Sequence, residues 1–143
     1  MIRAKNDKDI NRIMEIWINT NIKTHSFIDE SYWRKNFSIA KDMISESEIY
    51  VYEINGEIVG FIGLMDYYIA GIFVDCRYQS KGIGKELIDY IKNIKKQLNL
   101  NVYIKNSRAV DFYLREGFTK LEESIDDNTN ECEYKMIWKN NKR

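Results

Sequence analysis

The sequence predicts a mixed α/β fold in one domain, on three observations. Short runs rich in β-branched and aromatic residues alternate with amphipathic runs of helical period. The dipeptide Asn55-Gly56 stands between two of the strand-like runs and is a strong hairpin signal. The 143 residues include no proline and no Pro/Gly/Ser-rich linker, so nothing divides the chain.

Each element follows from its residues. Ile2-Arg3-Ala4 reads as a short strand, and Asp7 as the N-cap of a helix carrying Ile10, Ile13, Met14 and Trp17 on one face. A second helical stretch covers roughly Glu30 to Ile44, where Tyr32, Trp33, Phe37, Ala40 and Ile44 recur at near-helical spacing. Strands at 49–54 and 58–64 flank the Asn55-Gly56 turn and should be antiparallel, and Tyr68 to Val74 forms a further apolar strand. After a polar loop, Ile83, Leu87, Ile88, Ile91, Ile94 and Leu98 trace a helical face, with Lys92, Lys95 and Lys96 on its solvated side. A strand at 100–104, a helix from about Ser107 to Glu116 and closing strands near 118–124 and 132–138 complete the order.

Composition narrows the function. Hydrophobic residues make up 44% and charged residues 31%, a globular mix. Lys plus Arg and Asp plus Glu number 22 each, which leaves no net field to hold a polyanion, so nucleic acid is not an expected partner. No run approaches a membrane span and the N-terminus has no apolar signal core, so no membrane association and a cytoplasmic location are expected. Two cysteines, Cys76 and Cys132, and one histidine, His25, are too few for a cysteine or multi-histidine metal cage.

Chemistry concentrates in Gln79-Ser80-Lys81-Gly82-Ile83-Gly84-Lys85, between an apolar strand and an amphipathic helix. Unpaired N–H groups at a helix start favour an anion, glycines let backbone approach it, and Lys81 and Lys85 add positive charge. A metal-nucleotide P-loop would need glycine at Gln79 and Ser or Thr at Glu86, and a dinucleotide fingerprint would need glycine at Leu87 within an early βαβ unit. A plain tight turn from strand to helix is the bland alternative.

What remains, Gln-x-x-Gly-x-Gly after a strand, resembles the GNAT superfamily of N-acetyltransferases, in its small bacterial single-domain branch. Gln79, Gly82 and Gly84 match the motif that holds the coenzyme A pyrophosphate, and Ile72-Phe73-Val74 matches the strand that pairs with the pantetheine arm. A second block, Asn106, Ala109, Phe112-Tyr113 and Gly117-Phe118, fits the same family. The resemblance implies a mostly antiparallel central sheet flanked by helices, with a splayed strand pair holding the coenzyme, and a single catalytic domain over residues 1–143. It implies acetyl-CoA as co-substrate without a metal, bound by Phe73, Val74, Gln79, Ser80, Lys81, Gly82, Ile83, Gly84, Lys85 and Asn106. A monomer or homodimer acting on a primary amine is the corresponding expectation.

More weakly, Trp17, Thr24 to Ile28 and Tyr32-Trp33-Arg34 resemble the family's acceptor wall, which would put His25, Phe27, Trp33 and Tyr68 at the acceptor, against ordinary core packing for the aromatics. Tyr113 matches the family's acid, a phenol able to protonate the departing sulfur; its pKa should set the basic limb of turnover. The base is open, because Tyr67, Tyr68 and Ile69 stand where members often carry a glutamate. Asp66, Tyr68 or His25 polarising a water is the expectation. Acetylation of Cys76 as an intermediate is the lesser route. Glu122, Glu123, Asp126, Asp127, Glu131 and Glu133 read either as a solvated hairpin or as attraction for a cationic acceptor. Two other readings stay open: a CoA-binding sensor without turnover, and a nucleotide hydrolase, which Gln79 and Glu86 disfavour.

Overall fold

The computed structural model describes residues 1–140. Seven strands, β1 (Ile2–Ala4), β2 (Glu48–Ile54), β3 (Glu57–Met65), β4 (Tyr68–Val74), β5 (Gln97–Tyr103), β6 (Thr119–Asp126) and β7 (Glu131–Lys139), form one sheet in the order β1-β2-β3-β4-β5-β7-β6. Every neighbouring pair is antiparallel except β4 and β5. Asn55 and Gly56 both take positive φ, 51° and 82°, as a two-residue hairpin turn with the strand twist requires.

Helices α1 (Ile10–Thr24), α2 (Glu30–Lys35) and α3 (Phe37–Glu46) cover one face, and α4 (Ile83–Lys92) and α5 (Ser107–Arg115) cover the other. Two cores result. Ile13, Ile16, Trp17 and Trp33 pack on Ile49, Val51 and Phe61. Leu87, Ile88, Ile91, Val110 and Tyr113 pack on Ile62, Leu64, Leu98 and Leu100. β3 lies between both and is buried from Ile58 to Leu64.

Four sequence expectations shift. The first helix begins at Ile10; Asp7 lies in a 3-10 turn closed when Asn6 N–H donates to Asp9 Oδ2 at 2.8 Å. The stretch from Glu30 breaks at Asn36, whose φ of −94° and ψ of 5° end α2 and start α3. The helical face after the loop stops at Ile91: Ile94 is 48% exposed and Leu98 already belongs to β5, and the tight turn at 93–96 between them carries no Gly or Pro to mark it in the sequence. Lys92 and Lys95 are not simply solvated. Lys92 donates to the Glu116 carbonyl and lies over Trp138, while Lys95 pairs with Glu48 at 3.0 Å.

The sheet is left open at one place. β4 and β5 pair only through Tyr68↔Asn99 and Ile69↔Leu100, although β4 continues to Val74 and β5 to Tyr103. On the other side of β4 the register moves from Leu64↔Ile69 to Gly63↔Gly71, so Ala70 is an extra, bulged residue that bends the strand at the point of divergence. Beyond it the facing edges of β4 and β5 have no strand partner, and a wedge-shaped gap opens toward Val74 and Tyr103.

Candidate active site

The segment after β4 folds as a cradle at the mouth of this gap. Asp75 Oδ1 accepts from the Arg77 N–H at 3.0 Å and caps a single 3-10 turn over Cys76–Tyr78. Its other oxygen accepts from Arg12 on α1 at 2.7 Å, and Arg12 also donates to the Ile58 carbonyl at 2.9 Å, so the cradle is pinned to the far helical layer. Paired with two guanidinium groups, the Asp75 carboxyl is held well below the usual carboxylate range, Arg77 contributing most. The Gln79 carboxamide turns inward and donates to the Val74 carbonyl at 3.0 Å, bridging the ends of the loop.

Ser80 and Gly82 take left-handed φ of 64° and 82°. Gly82 is the N-cap of α4, and a Cβ there would enter open space on the loop's outer side. The first-turn N–H groups of Ile83, Gly84 and Lys85 have no carbonyl in a preceding turn and sit at the positive end of the helix. Arg108 on α5 donates to Ser80 Oγ at 2.7 Å, adding a guanidinium to the rim, and Lys81 lies over the Tyr78 ring. Lys85 instead turns along the helix to Asp89 and Glu116, each at 3.2 Å. An elongated anion reaching from this loop into the gap would meet backbone donors, a glycine without a side chain and fixed positive charge. The residues present thus fit a phosphate-bearing ligand. Within the gap, Gly71 is needed because a Cβ would lie 2.4 Å from the Phe73 ring, which stacks on Phe61 at 4.9 Å.

Tyr113 is 8% exposed and packs edge-on against Phe112 and Phe118. Its hydroxyl has no hydrogen-bond partner among the described residues. Burial pushes this phenol well above the ordinary tyrosine range, and Tyr68 lies near enough to raise it further. The Tyr68 phenol is likewise raised, by burial first and then by Glu133 and Asp126.

On the opposite face stands an aromatic wall. His25 stacks on Trp33 at 5.5 Å and meets Phe27 at 5.7 Å and Tyr103 at 5.1 Å. Trp33 itself is 7% exposed, packed against Trp17 and Tyr32, and its indole Nε1 is a buried donor without a hydrogen-bond partner among the described residues. It backs the wall; His25, Phe27 and Tyr103 form its half-buried front, and Tyr68, also half-buried, lies near Glu133 and Asp126. His25 is not a free base. Its Nδ1 lies 3.1 Å from Asn21 Oδ1 and its Nε2 3.2 Å from Asn106 Nδ2, and burial pushes its pKa down to about 4. Asn106 also N-caps α5, its Oδ1 accepting from the Ala109 N–H at 3.3 Å.

The remaining acidic candidates separate. Asp66 lies in the exposed turn between β3 and β4, away from the open end of the gap, and Cys76 is exposed in the 3-10 turn. Glu122, Glu123 and Asp127 are exposed. Asp126 is engaged by Tyr103 and Thr129 hydroxyls, both at 2.9 Å, and by the Asn128 N–H at 3.1 Å. Beside the aromatic wall stand Tyr32, from the weaker N-terminal resemblance, Glu133, from the acidic cluster, and Tyr103, which the sequence did not single out. Only the register of β5 against β7, which sets Tyr103 opposite Glu133, brings two of them together. Among the described residues no helix is long and apolar enough to cross a membrane, and no group of three His, Cys, Asp or Glu could hold a metal ion.

Comparison with known proteins agrees with this geometry. A family model described as an acetyltransferase (GNAT) domain matches residues 45–120. The chain is 31% identical over 140 residues to the peptidyl-lysine N-acetyltransferase YiaC of Escherichia coli, covering 96% of each chain. The solution structure of apo YjaB from Escherichia coli superposes with a TM-score of 0.85 at 23% identity, covering 96% of this chain and 95% of that one. The structure of yncA from Salmonella typhimurium with acetyl-CoA superposes with a TM-score of 0.69 at 17% identity, over 100% of this chain and 95% of that one.

Proposed function

The chain belongs to the GNAT acetyltransferase family, and from that premise we propose that it acts as one catalytic domain, in the cytoplasm, moving an acetyl group from acetyl-CoA to the ε-amine of a lysine in a peptide or protein. One observation supports the reading: the sheet opens between a glycine loop at a helix N-terminus and an aromatic wall, and the helix that follows β5 carries a buried phenol, Tyr113. The similar Escherichia coli protein named for peptidyl-lysine acetylation supports the acceptor class.

The co-substrate supplies an acyl thioester. The loop from Gln79 to Lys85 would bind its pyrophosphate through backbone N–H groups, and the free edges of β4 and β5, including Phe73 and Val74, would take the amide groups of its arm. Arg108 and Lys81 add charge at the rim. Asn106 shapes the site by starting α5, which carries Tyr113. The Tyr113 hydroxyl stays protonated and donates its proton to the sulfur as the C–S bond breaks. The acceptor approaches from the wall formed by His25, Phe27 and Tyr103, with Trp33 behind it, and meets Tyr68.

The test is acetyl-CoA turnover on a panel: a peptide with one lysine and a blocked N-terminus, a peptide with a free N-terminus and no lysine, and spermidine. Thiol release with acetylation of the lysine peptide by mass spectrometry is expected. Turnover of spermidine or the free N-terminus alone would overturn the acceptor assignment, and acetyl-CoA binding without turnover of any amine would turn the reading to a sensor.

A further inference from the structure

Resting on the lysine-acceptor reading above, we infer that Glu133 is the base that takes the proton from the acceptor's ammonium group. The side chain sits on β7 directly opposite Tyr103 of β5 and Ser124 of β6, on the acceptor face of the sheet. Tyr103 continues this surface to His25 and Phe27. Glu133 is half-buried, and its carboxylate has neither a hydrogen bond nor an ion pair among the described residues. A carboxylate drawn from water without a partner is an unpaid cost in a resting protein, and a cationic substrate would remove it.

The surroundings exclude the other groups. Asp126, the nearest carboxylate, already accepts three hydrogen bonds. Glu131, two residues back on the same strand, is tied to Lys105 at 3.2 Å. Lys135, two residues on, faces Asn101 and Glu122 across the ladders. From α2 and β4, Tyr32 and Tyr68 approach closely enough to feel the Glu133 charge. His25 has both ring nitrogens engaged. Burial and, next, the Asp126 charge hold the Glu133 carboxyl above its ordinary range.

The chemistry balances. A lysine ammonium, pKa about 10.4 in water, must lose one proton before its nitrogen can attack. Withdrawal from water on binding disfavours the ammonium just as burial disfavours the carboxylate, so proton transfer from nitrogen to Glu133 neutralises both groups. The amine lone pair then forms the C–N bond, the C–S bond breaks, and Tyr113 protonates the sulfur. The second nitrogen proton restores Tyr113, and Glu133 releases the first to solvent, giving one net proton per amide formed.

The experiment compares wild type with Glu133→Gln, using the blocked single-lysine peptide from pH 6 to 9.5. Glu133→Gln should lower kcat about 10²-fold and leave the acetyl-CoA KM within a few-fold. Its residual rate should rise about tenfold per pH unit as the neutral amine does, while wild type levels off at lower pH. Unchanged kcat, a loss confined to peptide KM, or an unchanged pH profile would overturn the assignment. Carboxyl NMR titration of the folded wild-type protein reads the same residue without any acceptor. Glu133 should titrate above the ordinary glutamate range, and a value at or below it would overturn the proposal. Failure of wild type on the lysine peptide alone would instead count against the acceptor reading.

Discussion

His25 Nε2 lies 3.2 Å from Asn106 Nδ2, joining the aromatic wall to the residue that starts the helix of Tyr113. The amide orientation of Asn106 is set by its Oδ1, which accepts from Ala109 N–H, so Nδ2 donates to the ring. The imidazole therefore carries its proton on Nδ1 and donates to Asn21 Oδ1 at 3.1 Å. A second proton would meet the Asn106 NH₂ group head-on.

A pH dependence of stability follows. The unfolded histidine titrates near 6.5 and the folded one near 4, lowered by burial. Between these values the unfolded chain binds a proton that the folded protein does not. This contribution is whole above pH 6.5 and is lost as pH falls toward 4. His25→Ala should cost about 1–3 kcal/mol at pH 7 through the lost buried hydrogen bonds and ring contacts. Urea midpoints at pH 7 and 4.5 check this: the gap between wild type and variant should narrow at the lower pH. A constant gap would mean that the ring is not held neutral.

The link from Asp75 to Arg12 gives a second prediction. Asp75→Asn keeps the shape of the turn's cap but removes the charge that pairs with Arg12 and Arg77. Because the Asp75–Arg12 pair is partly buried, about 1.5–3 kcal/mol of stability should be lost with it. The loosened cradle should also raise the acetyl-CoA KM several-fold, while kcat at saturation changes little. Thermal denaturation and a coenzyme titration measure the two effects separately; a stability loss with unchanged KM would show that the turn does not govern the loop.

Local chemistry made much of this architecture legible. β4 runs over Tyr68–Val74, as its apolar run indicates, and the glycine loop, the Asn55-Gly56 turn and Ser107 as the start of α5 all lie where turn and capping preferences put them. Long-range pairing hid the rest. Glu133 is one of six carboxylates between 122 and 133, and nothing in its neighbours separates it from Glu122 or Glu123. The distinction arises because Tyr103, thirty residues earlier, becomes its cross-strand partner. Asp126 likewise has a structural role through Tyr103 and Thr129, so any test of long-range attraction should neutralise Glu122, Glu123 and Asp127 and leave it intact. The break at Asn36 and the early end of α4 leave no mark in the sequence because the apolar period runs on through both.

At Gly82, backbone strain and lost ligand space predict different results. The φ of 82° is unfavourable for a β-branched residue, and a Cβ would point into open space where phosphate oxygens would approach. Gly82→Val should raise the acetyl-CoA KM by an order of magnitude or more. Asn tolerates left-handed φ, so Gly82→Asn should restore stability while leaving most of the KM defect. Full recovery of KM in Gly82→Asn would assign the effect to strain, and an unchanged KM in both variants would remove the loop from the coenzyme site.

Tyr113 carries the most direct chemical prediction, and the structure changes its expected pH signature. An unperturbed phenol would end the plateau of turnover near its ordinary pKa of about 10. Burial keeps this one protonated well beyond that, with Tyr68 reinforcing the effect, so no basic limb from Tyr113 should appear below pH 10. Tyr113→Phe preserves the ring that packs on Phe112 and Phe118. It should therefore leave acetyl-CoA binding within a few-fold and lower kcat about 10²-fold or more, the range for loss of a positioned acid. Because the sulfur then departs without its donor, acceptors of lower amine pKa should lose more, their attack being more easily reversed. Pre-steady-state acetyl transfer at pH 7 and 9.5 separates this from product release, and full transfer rates in Tyr113→Phe at both pH values would show that another group protonates the thiolate.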